Sequence, residues 1–152
     1  MKMFFSKCFP INPKSLKDIR SFTRIFFQQI NISTDQIEDL VLVLMEAVSN
    51  VMKHAYGNKI SEEMLKIKIN LKDQKLIIIE ILDKGKFVKI EDLRSRNLID
   101  IRAGGLGLFF IGEIMDKIEF MKNKDGEWNN HLVISKKIIN QPLYPYVLLP
   151  VF

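Results

Sequence analysis

Apolar and polar positions alternate with two different periods along this chain, and the period changes mark its elements. Residues 3–9 are apolar-rich and stop at Pro10, which predicts a first strand. Pro13 and Ser15 then open a helix, because Leu16, Ile19, Phe22, Phe26 and Ile30 recur at helical spacing. Asn31 to Thr34 interrupt that rhythm. Ser33 or Thr34 can cap a second helix, with Ile37 as its first buried position. Its stripe runs through Leu40, Val41, Leu44, Val48, Val51 and Ala55, and Gly57-Asn58 is the expected stop. Leu65, Ile67, Ile69 and Leu71 alternate with Lys66, Lys68 and Asn70, the signature of a strand with one buried face. After a short turn at Asp73-Gln74, Leu76 to Leu82 is a nearly unbroken apolar run suited to a central strand. Residues 86–103 are polar and aperiodic and read as a long loop with room for a short helix. The Gly104–Gly107 stretch precedes a third helix over Leu108 to Met115. Two further strands are expected near Ile118–Met121 and His131–Ile134, with a turn at Asp125-Gly126.

These elements predict an α+β fold, a two-layer sandwich with helices packed on one face of a mixed β-sheet. Residues 1–140 form its single domain. Residues 141–152 form a tail in which Pro142, Pro145 and Pro150 exclude a regular helix. The tail is apolar enough to be expected against the domain or a partner.

Composition narrows the class. A chain of 152 residues, 47% hydrophobic, is enough for one ordinary core. The formal net charge is +5, but Lys and Arg are scattered, so the charge reads as a solvated surface and not as a nucleic-acid face. Cys8 is the only cysteine, which excludes an internal disulfide and suggests a reducing compartment. The N-terminal apolar stretch is broken at Ser6 and Lys7. No run approaches the ~20 apolar residues of a membrane helix. A cytoplasmic protein with no membrane partner is expected.

Three features call for chemistry. Glu46 and Asn50 stand four residues apart in the most apolar part of the second helix, so they project from one face on successive turns. Buried there, they would need partners, and a hydrated cation would supply them. Asp83-Lys-Gly85 ends the central strand abruptly. Gly104-Gly105-Leu106-Gly107 runs into a helix, a place where backbone N–H groups and the helix dipole can meet phosphate oxygens. The loop is not a P-loop, since no Gly-Lys-Ser/Thr follows, and it lacks the third glycine of the dinucleotide fingerprint.

Taken in order, these residues resemble a known family. Glu46-Ala-Val-Ser-Asn50-Val-Met-Lys-His54-Ala55-Tyr56 is similar to the N-box of the GHKL ATPases, which include gyrase, heat-shock chaperones, histidine kinases and mismatch-repair proteins. The His-Ala-Tyr ending looks most like the anti-sigma-factor serine kinases. Asp83-Lys-Gly85 resembles the first glycine box. Arg102-Ala-Gly104-Gly105-Leu106-Gly107, followed by Met115-Asp116, resembles the second box and its helix. Asn130 to Lys136 resembles the last strand, although Asn129-Asn130-His131 stands where the family carries a Gly-Thr pair. The likeness spans residues 3 to about 137.

The resemblance implies ATP and Mg²⁺ as cofactors. Asn50 would ligate the metal, and Glu46 would act as the catalytic base or orient the attacking hydroxyl. Asp83 would accept a hydrogen bond from the adenine amino group, and Gly85 would let the backbone pass close to the base. Gly104, Gly105, Leu106 and Gly107 would wrap the phosphates, with Arg102 approaching the terminal one. His54 would serve as a helix-end or pocket-wall residue. The implied activity is a regulatory serine/threonine protein kinase that phosphorylates a small antagonist protein and binds a sigma factor, in a family whose kinases often pair as homodimers. The alternative is a nucleotide-gated protein-binding regulator without transfer activity. It accommodates the altered last box, but it gives Glu46 no task.

Overall fold

The computed structural model describes residues 2–88, 106–121 and 126–142, leaving aside the side chains of 106–109. Strand β1 covers Met3–Ile11, helix α1 Ser15–Gln28 and helix α2 Thr34–Asn50, and a π-helical turn continues α2 over Val51–Ala55. Strands β2 (Ser61–Lys72) and β3 (Leu76–Asp83) form a hairpin. Helix α3 includes Leu106–Ile114 and leads into β4 (Lys117–Phe120), and β5 covers Asn130–Lys137.

Most boundaries follow from local chemistry. Ser33 caps α2 by accepting the N–H of Gln36 on its Oγ at 3.2 Å, and Ile37 is buried behind it. The helix stops at Gly57 and Asn58, both at positive φ (59° each), a conformation glycine and asparagine adopt at least cost. Asp73 and Gln74 also have positive φ, 52° and 58°. With the Lys75 N–H donating to the Lys72 carbonyl at 3.0 Å, they make the tight turn that right-twisted hairpin strands prefer. Pro10 is accommodated because β1 is an edge strand, and the register shifts at Pro10/Ile11.

The five strands lie in the order β1-β2-β3-β5-β4, and every pairing among them is antiparallel. The two-layer α+β architecture matches the sequence expectation, but the sheet is not mixed. The chain from β3 through α3 brings β4 back parallel to β3. Because β5 is inserted between them, the two parallel strands are never neighbours.

Leu65, Ile67, Ile69 and Leu71 of β2, Ile77, Ile79 and Ile81 of β3 and Ile134 of β5 share one buried face. The helices cover that face. Helix α2 lies centrally, in contact with α1, α3 and β3, while α1 also meets β1. That position explains why α2 is apolar nearly all round, with Leu40, Val41, Val43, Leu44, Met45, Ala47 and Val48 all buried. The opposite face of the sheet carries half-buried Lys66, Lys68, Glu80 and His131, the last two joined at 2.8 Å. Beyond β5 the chain is tied back to the α1–α2 connection. Asn31 and Gln141 exchange two hydrogen bonds, as do Gln36 and Ile139. Among the described residues no helix is long and apolar enough to cross a membrane.

Candidate functional site

A cleft opens where the C-terminal end of α2 meets the ends of β3 and β5. Ala47, Asn50, Val51, His54 and Ala55 form its α2 wall. Ile81, Asp83 and Val88 line it from β3 and the following loop, with Ile111 of α3, Phe120 of β4, and Asn130 and Leu132 of β5. The walls are apolar except for Asn50, His54, Asp83 and Asn130, the pattern of a small-molecule site in which a few polar groups fix orientation.

Asp83 sits on the helix-facing side at the end of β3 and is buried, 1% exposed. Its Oδ1 accepts the Gly85 N–H and the Asn130 Nδ2–H, each at 2.9 Å. Burial pushes the carboxyl above its ordinary pKa, and the hydrogen bonds from Asn130 and Gly85 oppose that shift by favouring the ionised form. Asn130 faces Asp83 directly in the β3–β5 register, so the pair is a product of strand pairing.

Gly85 is where α2 and the loop after β3 come closest. A Cβ there would meet the Ala55 carbonyl oxygen and the Tyr56 ring at 2.7 Å and the Ala55 Cβ at 2.8 Å. Glycine is therefore required for contact with the end of α2. The same ending is held by hydrogen bonds. The Lys86 N–H donates to the Ala55 carbonyl at 2.8 Å. The Lys84 N–H donates to the Tyr56 hydroxyl at 3.3 Å, and that hydroxyl donates to Glu63 at 2.7 Å. Burial first, then the Glu63 carboxylate, push the Tyr56 phenol above its usual range. The π turn over Val51–Ala55 supplies the geometry of this junction, a form often found at functional sites. His54 lies in the cleft wall.

Glu46 and Asn50 differ from expectation. Both are half-buried, not enclosed in the core, because they occupy a flank of α2 near the cleft while the other flanks carry its packing residues. Asn50 lines the cleft, whereas Glu46 stands one turn earlier and is not part of its wall. The buried polar pair is instead Asp83 with Asn130. Leu106 and Gly107, expected in a loop, lie within α3. Arg102, Gly104 and Gly105 lie outside the described residues. No group of three or more His, Cys, Asp and Glu suited to a metal ion occurs among the described residues. Sequence reasoning passed over Asn130 as a site residue. Its only signal was a departure, an Asn-Asn pair where the resembling proteins carry Gly-Thr.

Residues 9–136 match the sequence profile of the histidine kinase-like ATPase domain, most of the chain. The chain belongs to that family. Within it, residues of this ATPase domain are similar to the serine-protein kinase RsbW of Staphylococcus aureus. The form from the bovine strain RF122 / ET3-1 is 34% identical over 104 residues, and that from strain JH9 is 33% identical over the same length. Each alignment covers 63% of this chain and 65% of the relative, so just under two thirds of those kinases is represented. Two solved structures share the fold. The RsbU and RsbW domains of a Mycobacterium tuberculosis protein superpose with a TM-score of 0.62 at 13% identity, covering 92% of this chain and 33% of that one. The SiaB–SiaC complex from Pseudomonas aeruginosa gives a TM-score of 0.59 at 13% identity, covering 88% of both chains.

Proposed function

We propose that this ATPase-family domain binds ATP with Mg²⁺ and acts as an anti-sigma-type serine/threonine kinase, phosphorylating a small antagonist protein and binding a sigma factor. The observation that carries the reading is the buried Asp83 carboxylate, held by Gly85 and Asn130 on the wall of an apolar cleft that Asn50 also lines. A carboxylate facing the 6-position of a purine accepts the 6-amino N–H of adenine and disfavours the O6 carbonyl of guanine. The serine-protein kinases of similar sequence support the transfer activity, and the partners are those that the resemblance to the anti-sigma-factor serine kinases implies.

The residues present fit the cofactors. Asn50 offers a neutral amide at the cleft, one ligand for a cation that takes most of its remaining oxygens from phosphates and water. Mg²⁺ would supply charge neutralisation for phosphoryl transfer, which depends on positioning and electrostatics more than on covalent chemistry. Asp83 would hold the base. Glu46, projecting from the same helix face as Asn50, would orient or deprotonate the incoming serine hydroxyl. Gly104, Gly105 and Gly107, with Leu106, would border the phosphates, and Arg102 would approach the terminal one.

One observation favours the second reading, a nucleotide-gated regulator without transfer, since Glu46 lies outside the cleft wall. The two readings separate in a transfer assay. The protein is incubated with γ-labelled ATP, Mg²⁺ and an antagonist protein from the same organism. The kinase reading expects label on an antagonist serine, at least about a hundredfold less for Glu46→Ala, with ATP affinity kept within a few-fold. Equal labelling by the variant would remove Glu46 from the chemistry. ATP binding without any labelling of an antagonist that the protein binds would favour the gated regulator.

A further inference from the structure

Four successive carbonyls, from the last residue of β3 onward, are engaged by two residues at the entry to β5. The Asn129 N–H donates to the Asp83 carbonyl at 2.9 Å. The Asn129 side-chain amide donates to the carbonyls of Lys84 and Gly85, at 2.9 and 3.0 Å. The Asn130 amide donates to the Lys86 carbonyl at 2.9 Å and accepts the Val88 N–H at 2.9 Å. Asn130 also makes the contact to the Asp83 carboxylate described above.

These partners fix the orientation of the Asn130 amide. A backbone N–H can only donate and a backbone carbonyl can only accept, so Oδ1 must face Val88 and Nδ2 must face Lys86 and Asp83. Flipping the amide would set acceptor against acceptor and donor against donor. Asn130 therefore always presents a donor to Asp83. That donor and the Gly85 N–H both converge on Oδ1, which fixes the plane of the carboxylate. Among the described residues, Oδ2 takes no hydrogen bond, which leaves it as the acceptor for a ligand in the cleft.

We infer that Asn130 is a positioning residue that sets the Asp83 carboxylate as the base-reading acceptor and, with Asn129, holds the 84–88 loop in its binding shape before nucleotide enters. The inference rests on the adenine reading of the cleft. A Gly-Thr pair has no side-chain amides, so it could not bond the loop carbonyls in this way. Here the recognition loop is fastened by side chains from the facing strand, which lowers the ordering cost of binding.

The test compares ATP with purine riboside triphosphate, which lacks only the 6-amino group, by calorimetry in Mg²⁺ on the full chain. The wild type is expected to prefer ATP by about tenfold or more, the range for a hydrogen bond to a charged group. Asn130→Thr keeps a hydroxyl donor and is expected to keep most of that preference. Asn130→Val has nearly the same shape without the donor, and its preference is expected to drop by about tenfold while the protein still melts cooperatively. If the valine variant does not fold, Asn130→Ala is read in its place. Hydrogen exchange in the nucleotide-free protein adds an independent readout, with the Val88 amide protected in the wild type and exposed in the valine or alanine variant. A folded variant without the donor that keeps the wild-type ratio would overturn the role of Asn130. So would a threonine variant that loses the preference. A wild type that binds both nucleotides equally, or neither, would instead overturn the adenine reading itself.

Discussion

A carboxylate buried at the end of a central strand costs a protein stability, and Asp83 bears that cost with two donors on one oxygen. Because burial raises its pKa, the native state binds a proton at this site more readily than the unfolded chain does. The penalty is therefore absent below the ordinary value near 3.8 and fully present once pH has risen past the raised one. Asp83→Asn keeps an oxygen for both donors and removes the charge. We expect it to melt at or above the wild-type temperature at neutral pH, with the gap closing as pH falls through the raised pKa. The same variant should lose ATP affinity by at least about tenfold. Thermal melts across pH check the first effect and calorimetry the second. A variant less stable at pH 7 with unchanged affinity would contradict both. Asp83 was legible in the sequence because Asp-x-Gly cut short a nearly unbroken apolar run. Asn130 was not, since its role exists only once β5 pairs with β3 and sets residue 130 opposite residue 83. Glu46 and Asn50 were legible as neighbours on a helix face but not in their depth, which depends on what packs against that flank of α2.

At the scale of elements, two glycines on either side of one junction do different work. Gly57 has φ 59° and open space where a methyl would stand, so its need for glycine is conformational alone. Gly57→Ala should lower stability by about 1 kcal/mol and leave nucleotide binding intact. Gly85→Ala would press a methyl into the backbone and ring of Ala55 and Tyr56, so the loop after β3 must move off α2. We expect a larger loss, about 1–3 kcal/mol, together with loss of ATP binding. Denaturant melts and calorimetry on both variants check the contrast, and equal effects on binding would refute it. The alternation of β2 and the Asp73-Gln74 turn were legible in the pattern. The first residues of β2, Ser61 to Met64, were not, because their pairing with β1 rather than any apolar rhythm makes them strand. The π turn was equally hidden, since Val48, Val51 and Ala55 read as ordinary helix spacing and only the Lys86 N–H bond to the Ala55 carbonyl shows what the turn delivers.

For the whole molecule, the layer count and the covered face followed from counting half-buried strands and apolar helices. The strand order did not. Local periodicity says nothing about which strand is inserted between which, and the wholly antiparallel sheet comes from β5 entering between β3 and β4. That insertion makes the site, because it brings Asn130 and Leu132 against Ile81 and Asp83 and closes the cleft under α2. Lys136 of β5 also caps the end of α3 by donating to the Ile114 carbonyl at 2.6 Å, a favourable place for a cation. One strand thus positions both the Asp83 carboxylate and the helix that borders the cleft. On the proposed function, this cleft is an adenine nucleotide site completed by Mg²⁺ at Asn50. The most direct measurement is calorimetric titration of ATP and of GTP, with and without Mg²⁺, into the wild type and Asn50→Ala. Binding of ATP over GTP by about tenfold or more is expected, dependent on Mg²⁺ and lost in a folded Asn50→Ala. Failure of the folded wild type to bind ATP, or binding indifferent to Mg²⁺ and to Asn50, would contradict it.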